Sequence, residues 1–383
     1  MEFQLTKSQK EIQKAAREFA KGEFDKDLVL EMEKQQSFPE DIRIKAADLG
    51  FIGMHWPEAY EGGGLGMFEN VLAAEAFCSK DSSLGIALML SGSASEYLLH
   101  YGTDDLKSEF LPKVANGDMV SGSAFFEPGE GYDLTGTSTT AVRDGGRWVI
   151  DGWKTGVLNG GAAGFYCVLC KTDPKSASPD GFSIILVEAE RDGITVENNQ
   201  DKLGMRMVAT TDIRFQDVRV PESHLVGKPG KGVKQALALN DQNLILVAAM
   251  ATGTARGAYA RALDYVKQRE QFGKKIGQFQ ITRHKLAEMA LSIEQAALMT
   301  YSAAWQLDRR KKNQAMAAMA KLSACRTALD VSSEAIQLLG GYGYMTEYEV
   351  ERCYRDAKAL MLFEDNPIGL KDAVATGVMG RIK

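Results

Sequence analysis

The stretch MVSGSAFFEPGEGYD (residues 119–133) marks the start of a β-rich part of the sequence. The segments that follow are short, rich in β-branched and aromatic residues, and bounded by Gly, Pro and Asp. They are GRWVIDGWKTGVLNGG (146–161), GFYCVLCKTD (164–173), GFSIILVEAE (181–190) and TTDIRFQDVRVP (210–221). Short strands with close turns and no helix between them favour an antiparallel sheet or a small barrel over a βαβ fold.

Helical segments flank this β region on both sides. SQKEIQKAAREFAKGEF (8–24) and FENVLAAEAFCSK (68–80) repeat apolar residues at three- and four-residue spacing, which is typical of a helix that packs one face. Three longer helical segments follow the β region, at 246–269, 279–308 and 315–341. We therefore predict an α+β protein with an N-terminal helical domain (1–118), a middle β domain (119–228) and a C-terminal helical bundle (229–383).

Composition narrows the possible functions of these 383 residues. The formal charge of −6 argues against nucleic acid as the main partner, because nucleic-acid binding usually needs a basic face. No apolar run approaches the roughly 18–20 residues of a membrane span, and the N-terminus has mixed charge unlike a signal peptide. Five cysteines form no disulfide framework, which fits a reducing compartment, so we expect a cytoplasmic protein.

Motifs for metals and nucleotides are also absent from the sequence. Cys167 and Cys170 form a CxxC, but they lie in an apolar run typical of a buried strand, and no second pair accompanies them. The glycine-rich stretches have neither the spacing nor the context of a Rossmann fingerprint, and we find no P-loop or HExxH. We therefore expect no metal site, and any phosphate-bearing ligand must be held in another way.

One acidic residue near the C-terminus is a candidate catalytic base. In LFEDNPIGL (362–370), Glu364 precedes Asn366-Pro367, which is a turn signal. Acidic residues beside Asn-Pro are common at helix boundaries, so this stretch alone fits both a catalytic base and an ordinary helix-end carboxylate.

Three C-terminal motifs resemble those of the acyl-CoA dehydrogenase family: REQFGKKIGQFQ (269–280), AIQLLGGYGY (335–344) and VERCYRDAK (350–358). FFEPGEGYD (125–133) and the segment 202–227 also resemble the family's β-domain motifs. The resemblance extends along essentially the whole chain, and the C-terminal motifs occur in family order. It implies an N-terminal helical domain, a β domain and a C-terminal four-helix bundle. The order of helical and β-rich segments described above indicates the same arrangement.

The resemblance also implies FAD, bound between the β domain and the bundle with part of the site supplied by a neighbouring subunit. Arg269 is a cation suited to the pyrophosphate, and Phe272 offers a packing surface for the cofactor. Residues expected to contact FAD are Arg269, Phe272, Gln280, Gln337, Gly340, Gly341, Phe126 and Asn366. Without the resemblance, Gly340 and Gly341 equally fit a helix C-cap and turn.

The family reaction removes a proton from the carbon next to a CoA thioester and a hydride from the following carbon, leaving a trans-enoyl-CoA. Glu364 falls where most members carry the base, one residue after an aromatic residue. A minority carry the base near residue 243, which is Asn243 here and cannot abstract a proton. The resemblance therefore implies that Glu364 is the base, helped by burial and by hydrogen bonds that stabilise enolate-like charge. The residues expected to contact substrate are Gly131, Tyr132, Asp241 and Phe363.

The chain departs from the family pattern around the flavin ring. Phe126 replaces the usual hydroxyl residue before Glu-Pro, and Tyr132 replaces the usual Ser before the motif's Asp. Gly156 stands at the position of the flavin-covering Trp, Leu158 at that of a further hydroxyl residue, and Leu244 at that of an Arg that helps to hold the CoA arm. These changes indicate either a remodelled flavin environment with new stacking surface or a subunit that has lost catalysis.

Three functional hypotheses follow from this pattern. The leading one is an FAD-dependent acyl-CoA dehydrogenase, a homotetramer that passes electrons to an electron-transferring flavoprotein. Small residues at 92–95 favour a branched, cyclic or aryl acyl group, although they equally fit close helix packing. The alternatives are a non-catalytic subunit of a heteromeric complex and a non-redox isomerase or lyase that acts on acyl-CoA.

Overall fold

The computed structural model describes residues 4–176, 179–197, 199–311, 313–364 and 367–380. Along the chain, helices are followed by a sheet and then by further helices. The predicted α+β fold is therefore confirmed. Within the described residues, none of the helices combines the length and apolar character needed to cross a membrane.

The N-terminal region is helical, as predicted. Its helices are α1 (Lys7–Glu23), α2 (Lys26–Gln35), α3 (Glu40–Asp48), α4 (Met67–Lys80), α5 (Ser82–Met89), α6 (Ser95–Tyr101) and α7 (Asp104–Ala115). Polar side chains cap the N-termini of α1, α2, α5 and α7. Asp81, for example, follows α4, and its carboxylate accepts the N–H of Leu84 at 3.0 Å at the start of α5.

The sheet that follows contains β1 (Ser121–Ala124), β2 (Thr140–Asp144), β3 (Arg147–Leu158), β4 (Phe165–Lys171), β5 (Phe182–Glu188), β6 (Ile194–Val196), β7 (Thr210–Pro221) and β8 (Leu225–Val226). Its strand order is β6-β7-β3-β2-β4-β5-β8, and β1 pairs with β4. Most pairs are antiparallel, as predicted, but β4 runs parallel to both β1 and β2. The sheet is therefore mixed. The β2–β3 hairpin lies between β1 and β4 in the chain and forms part of the crossover connection that these parallel strands need.

The C-terminal helices are α8 (Gly232–Gln268), α9 (Gln280–Asp308), α10 (Gln314–Leu339), α11 (Val350–Leu362) and α12 (Pro367–Met379). A short hairpin of β9 (Glu270–Gln271) and β10 (Lys274–Lys275) follows α8. Helices α8 to α11 pack together as the expected four-helix bundle, and α12 packs on α10. Gly253 on α8 permits close packing on α4, because a Cβ there would lie 2.5 Å from the carbonyl oxygen of Glu75.

Both faces of the central strand β4 are buried, one against helices and the other within the sheet. On β4, Phe165, Cys167 and Leu169 pack into the helical core, whereas Tyr166, Val168 and Cys170 pack into a separate core within the sheet. Cys167 and Cys170 therefore point to opposite faces of one strand, and burial raises the pKa of the Cys170 thiol to about 12. No cluster of metal-ligating side chains occurs among the described residues.

Candidate active site

A cavity of about 750 Å³ lies where the N-terminal helices, the sheet and the bundle meet. Each region contributes lining residues: the loop around residues 51–56, the segment 88–97, the β-domain segments 123–134 and 155–158, and α8 between residues 236 and 247. The end of α11 and the residues after it close one side. The volume lies within the roughly 300–1,000 Å³ of small-molecule sites.

Glu364 lines this cavity directly after α11. Its backbone φ of +67° is unusual for a residue other than glycine, and such conformations persist only where surrounding structure enforces them. The side-chain amide of Asn243 on α8 donates to Glu364 Oε2 at 3.1 Å. Glu364 therefore lines the cavity and contacts α8 through Asn243.

Tyr97 lies beside this pair. Its ring packs edge-on against Phe125 with the centroids 4.7 Å apart, and its side chain also interacts with Asn243. Burial raises the pKa of the Tyr97 hydroxyl well above its usual value, and the negative charge of Glu364 raises it further. The hydroxyl therefore stays protonated and is able to donate a hydrogen bond within the site.

The replaced residues of the β domain line the same cavity. Phe126 and Tyr132 meet edge to face with ring centroids 5.4 Å apart, and the Tyr132 hydroxyl donates to the carbonyl oxygen of Leu362. This hydrogen bond joins the loop after β1 to the last turn of α11, directly before Phe363 and Glu364. Gly131 and Phe363, predicted to contact substrate, also line the cavity.

Gly156 lies at a bulge in β3, where the register with β7 shifts between Lys154 and Val157. Its φ of +61° favours glycine, and a Cβ at this position would meet no other atom within 4 Å. The Asp212 carboxylate fixes the bulge by accepting the Thr155 hydroxyl at 2.6 Å and the Gly156 N–H at 3.2 Å. The position therefore leaves open space in the cavity wall, and Leu158 lines the wall nearby.

A buried ion pair supports the loop that carries Gly131 and Tyr132. Lys154 Nζ lies 2.8 Å from Glu127 Oε1, and both side chains are almost completely shielded from solvent. Glu127 also accepts the N–H groups of Ser138 and Thr139 at 2.8 and 2.9 Å. Burial alone would raise the pKa of Glu127, but Lys154 and these hydrogen bonds lower it to about 2.

Residues 92–95, whose small side chains predicted a wide acyl site, lie in two different surroundings. Gly92 and Ser93 line the cavity, whereas Ala94 and Ser95 do not. The N–H groups of Ala94 and Ser95 donate to Ser121 Oγ, each at 3.1 Å, and so join α6 to β1. One half of the segment thus contributes to the cavity wall and the other half contacts the sheet, and the width of the acyl group stays a prediction.

Six predicted FAD contacts lie elsewhere, at the end of the bundle where α8 and α10 end and α9 begins. All are exposed and none lines the cavity: Arg269, Phe272, Gln280, Gln337, Gly340 and Gly341. Arg269 is 26 residues beyond Asn243 along α8, or about 39 Å at 1.5 Å per residue. A single chain therefore does not bring these residues to Glu364.

The six residues have identifiable local surroundings. The guanidinium of Arg269 lies 5.8 Å from the centroid of the Tyr342 ring, and Phe272 is 92% exposed. Gly340 is the C-cap of α10 with a φ of +61°, so the alternative prediction of a helix cap applies to it. A Cβ at Gly340 or Gly341 would meet nothing within 4 Å in this chain.

One other predicted contact, Asp241, does not line the cavity, although Asn240, Gln242 and Asn243 do. Each helical residue is rotated by about 100° from the last, so neighbouring residues face different directions. Leu244 is completely buried in the core. Asn366 lies outside the described residues.

Sequence reasoning missed a polar group in the cavity wall, formed by His55, Trp56, Glu96 and Gln242. These residues come from a loop, α6 and α8, and only the fold brings them together. Glu96 and Tyr97 directly follow the small residues at 92–95, from which the sequence predicted only the width of the acyl site. One signal was present: His and Trp occur only four times each in this chain, and the ring of each is able to donate a hydrogen bond.

Comparison with known proteins defines the family. Models of the acyl-CoA dehydrogenase N-terminal, middle and C-terminal domains match residues 6–118, 122–218 and 230–364, respectively. The short-chain-specific acyl-CoA dehydrogenase of Clostridium acetobutylicum is 33% identical over 365 residues, covering 95% of this chain and 96% of that protein.

Two further proteins support the same family. The CarC subunit of the caffeyl-CoA reductase–Etf complex of Acetobacterium woodii is 34% identical over 361 residues, covering 94% of this chain and 95% of that subunit. The structure of butyryl-CoA dehydrogenase from Megasphaera elsdenii matches with a TM-score of 0.94 and 33% identity, covering 99% and 100% of the two chains. The chain belongs to the acyl-CoA dehydrogenase family, whose members are FAD-dependent oxidoreductases.

The cavity fits the ring of a flavin beside an acyl group. Open space adjoins Gly156, and Phe126 and Tyr132 supply aromatic surface. Its volume of about 750 Å³ suits these two groups rather than a complete dinucleotide together with a complete CoA ester. The remainder of each ligand must therefore extend beyond the cavity.

Proposed function

We propose that this protein catalyses the α,β-dehydrogenation of a CoA thioester, with Glu364 as the base. The observation that carries the proposal is the position of Glu364. It lines one cavity with Phe363 and with the residues at positions of family flavin contacts, which are Phe126, Gly156 and Leu158. Bound FAD supplies the hydride acceptor for this chemistry. The retained base and the open cavity support an active enzyme over a subunit that has lost catalysis.

Glu364 removes the proton from the carbon next to the thioester carbonyl. The electrons of that C–H bond form the new double bond as hydride leaves the following carbon, so the acyl group loses two hydrogens and two electrons. Asn243 holds the carboxylate through its 3.1 Å hydrogen bond, which orients Glu364 toward the acyl group. Asn243 is therefore a positioning residue in this proposal.

The separation of the two residue groups supports a shared cofactor site. The six residues of the second group are exposed, and Arg269 among them lies about 39 Å along α8 from Asn243. They are Arg269, Phe272, Gln280, Gln337, Gly340 and Gly341. In our proposal these residues hold the dinucleotide end of the FAD whose ring lies in a neighbouring subunit. An assembly of identical chains, with a homotetramer as the predicted form, would then be required for cofactor binding.

The electron acceptor and the acyl group belong to the same proposal. A relative forms part of a complex with Etf, and this supports an electron-transferring flavoprotein as the acceptor here. Gly92 and Ser93 on the cavity wall support a wide acyl group, such as a branched, cyclic or aryl one. A cytoplasmic location stays a prediction.

Anaerobic titration of the purified holoenzyme with a panel of CoA esters tests the proposed reaction. The panel contains straight, branched, cyclic and aryl acyl groups, and absorbance follows the bleaching of the flavin. We expect at least one ester to bleach it, because dehydrogenation transfers two electrons to the cofactor. If the protein binds esters but no ester bleaches the flavin, the redox assignment is wrong, and conversion of an ester without bleaching would indicate an isomerase or lyase.

A further inference from the structure

The cavity wall carries a polar group that the proposed chemistry does not use. Glu96 Oε1 accepts the ring N–H groups of His55 and Trp56 at 2.9 and 2.8 Å, and Glu96 Oε2 accepts the Gln242 amide at 2.5 Å. All four side chains line the same cavity as Glu364. We call His55, Glu96 and Gln242 the polar wall.

The polar wall pairs the carboxylate of Glu96 with the imidazole of His55. Burial alone would raise the pKa of Glu96, but His55, Trp56 and Gln242 lower it to about 2, so Glu96 is ionised at neutral pH. Burial alone would lower the pKa of His55, but the charge of Glu96 and its hydrogen bond raise that pKa above its usual value. The hydrogen-bonded pair of Glu96 and His55 thus lines the cavity.

Hydrogen-bonding capacity remains unused in the polar wall. A carboxylate offers roughly four acceptor positions, and the three donors just described occupy three of them. His55 Nδ1 is buried and has no hydrogen-bond partner among the described residues. The polar wall therefore has one carboxylate acceptor position and one ring nitrogen available for a further group.

An aliphatic acyl chain would match this wall poorly. Placing methylene groups against Glu96 and His55 would exclude water without replacing its hydrogen bonds, which is costly for buried polar groups. A free carboxylate would also match poorly, because it would approach the negative charge of Glu96. A neutral group that both donates and accepts matches the open position of the carboxylate, and it pairs with the open ring nitrogen whether or not that nitrogen carries a proton.

We propose that the acyl group of the substrate carries a neutral hydrogen-bonding group, of which a hydroxyl is the simplest, and that this group binds the polar wall. This inference rests on the proposed function in taking the ligand to be a CoA ester. It narrows the substrate class from wide acyl groups to wide acyl groups with a polar, uncharged substituent. The hydroxyl would donate to Glu96 and accept from His55 or Gln242.

Binding to a variant that cannot turn over separates this inference from the redox reaction. Calorimetry with the Glu364→Gln holoenzyme would measure Kd for 4-hydroxybutanoyl-, 5-hydroxypentanoyl- and 6-hydroxyhexanoyl-CoA. Each is compared with the ester in which a methyl group replaces the hydroxyl, and glutaryl-CoA serves as the anionic probe. We expect at least one hydroxy ester to bind about 10- to 100-fold more tightly than its methyl counterpart, as for a hydrogen bond to a charged group.

Two changes in the polar wall, Gln242→Leu and Glu96→Gln, provide the matched test. Both are introduced into the Glu364→Gln background, with FAD content and the melting temperature as controls for folding. We expect the preference for hydroxy esters to fall toward unity while the affinity for methyl esters changes little. If Glu96→Gln prevents folding, Gln242→Leu alone decides, because it removes one donor and leaves the His55–Glu96 pair in place.

Three outcomes would overturn the inference. They are tighter binding of the methyl ester at every length, an equal loss of affinity for all esters in both variants, and preferential binding of glutaryl-CoA. An equal loss would mean that the polar wall contacts the CoA arm common to every ester. Because binding is measured without flavin reduction, a failed bleaching experiment leaves this test interpretable, and each proposal is able to fail without the other.

Discussion

Replacing Glu364 with Gln is expected to lower kcat for dehydrogenation by about 100- to 10,000-fold, the usual contribution of a positioned general base. The amide keeps the size of the side chain and its contact with Asn243, but it cannot accept the α-proton. FAD content and ester binding should remain close to those of the wild type. The measurement is steady-state turnover of a bleaching ester with an artificial electron acceptor.

Glu31→Gln is the matched control for this change. Glu31 is an exposed glutamate on α2 that does not line the cavity, and its carboxylate accepts a hydrogen bond from the Gln35 amide in the same helix at 2.7 Å. The same change from carboxylate to amide should leave kcat within about twofold there, because exposed substitutions rarely affect a distant site. Turnover of Glu364→Gln near the wild-type rate would mean that a group other than Glu364 removes the α-proton.

Replacing Lys154 with Met is expected to destabilise the protein by about 3–5 kcal/mol, because it leaves the buried charge of Glu127 without its partner. The effect should extend to the cavity, since Glu127 holds Ser138 and Thr139 and thereby the loop that carries Tyr132. FAD content should fall along with stability. Urea unfolding followed by circular dichroism measures the free energy of unfolding.

Two comparisons make this prediction specific. Adding Glu127→Gln to Lys154→Met removes the isolated charge and should restore much of the lost stability. Lys234→Met removes an exposed ion pair with Asp180, 2.7 Å long, and should have little effect because solvent screens that pair. Equal destabilisation by Lys154→Met and Lys234→Met would contradict the role assigned to the buried pair.

The sequence predicted the parts of the fold that depend on local pattern. Helical spacing and β-rich segments with close turns predicted the order helices, sheet, helices. Family motifs located Glu364 and the replaced positions Phe126, Gly156 and Leu158, which the structure brings to one cavity. These features were predictable because each depends on neighbouring residues or on motif spacing.

Features that depend on distant pairing were not predictable in the same way. The parallel pairing of β1 with β4 joins strands that are separated by a whole hairpin, and nothing in either strand specifies its partner. The polar wall combines His55, Glu96 and Gln242, which are far apart in the chain. Asp241 was predicted to contact substrate, but the cavity is lined by its neighbours, because helix rotation decides which side chain faces inward.

The central claim is that the Glu364 carboxylate removes the α-proton of a CoA ester. Its most direct test is anaerobic stopped-flow mixing of a bleaching ester with wild-type and Glu364→Gln holoenzymes, each saturated with ester. We predict rapid bleaching for the wild type and a flavin that stays oxidised for the variant, although its spectrum still shifts as the ester binds. Bleaching of both proteins at the same rate would contradict the claim.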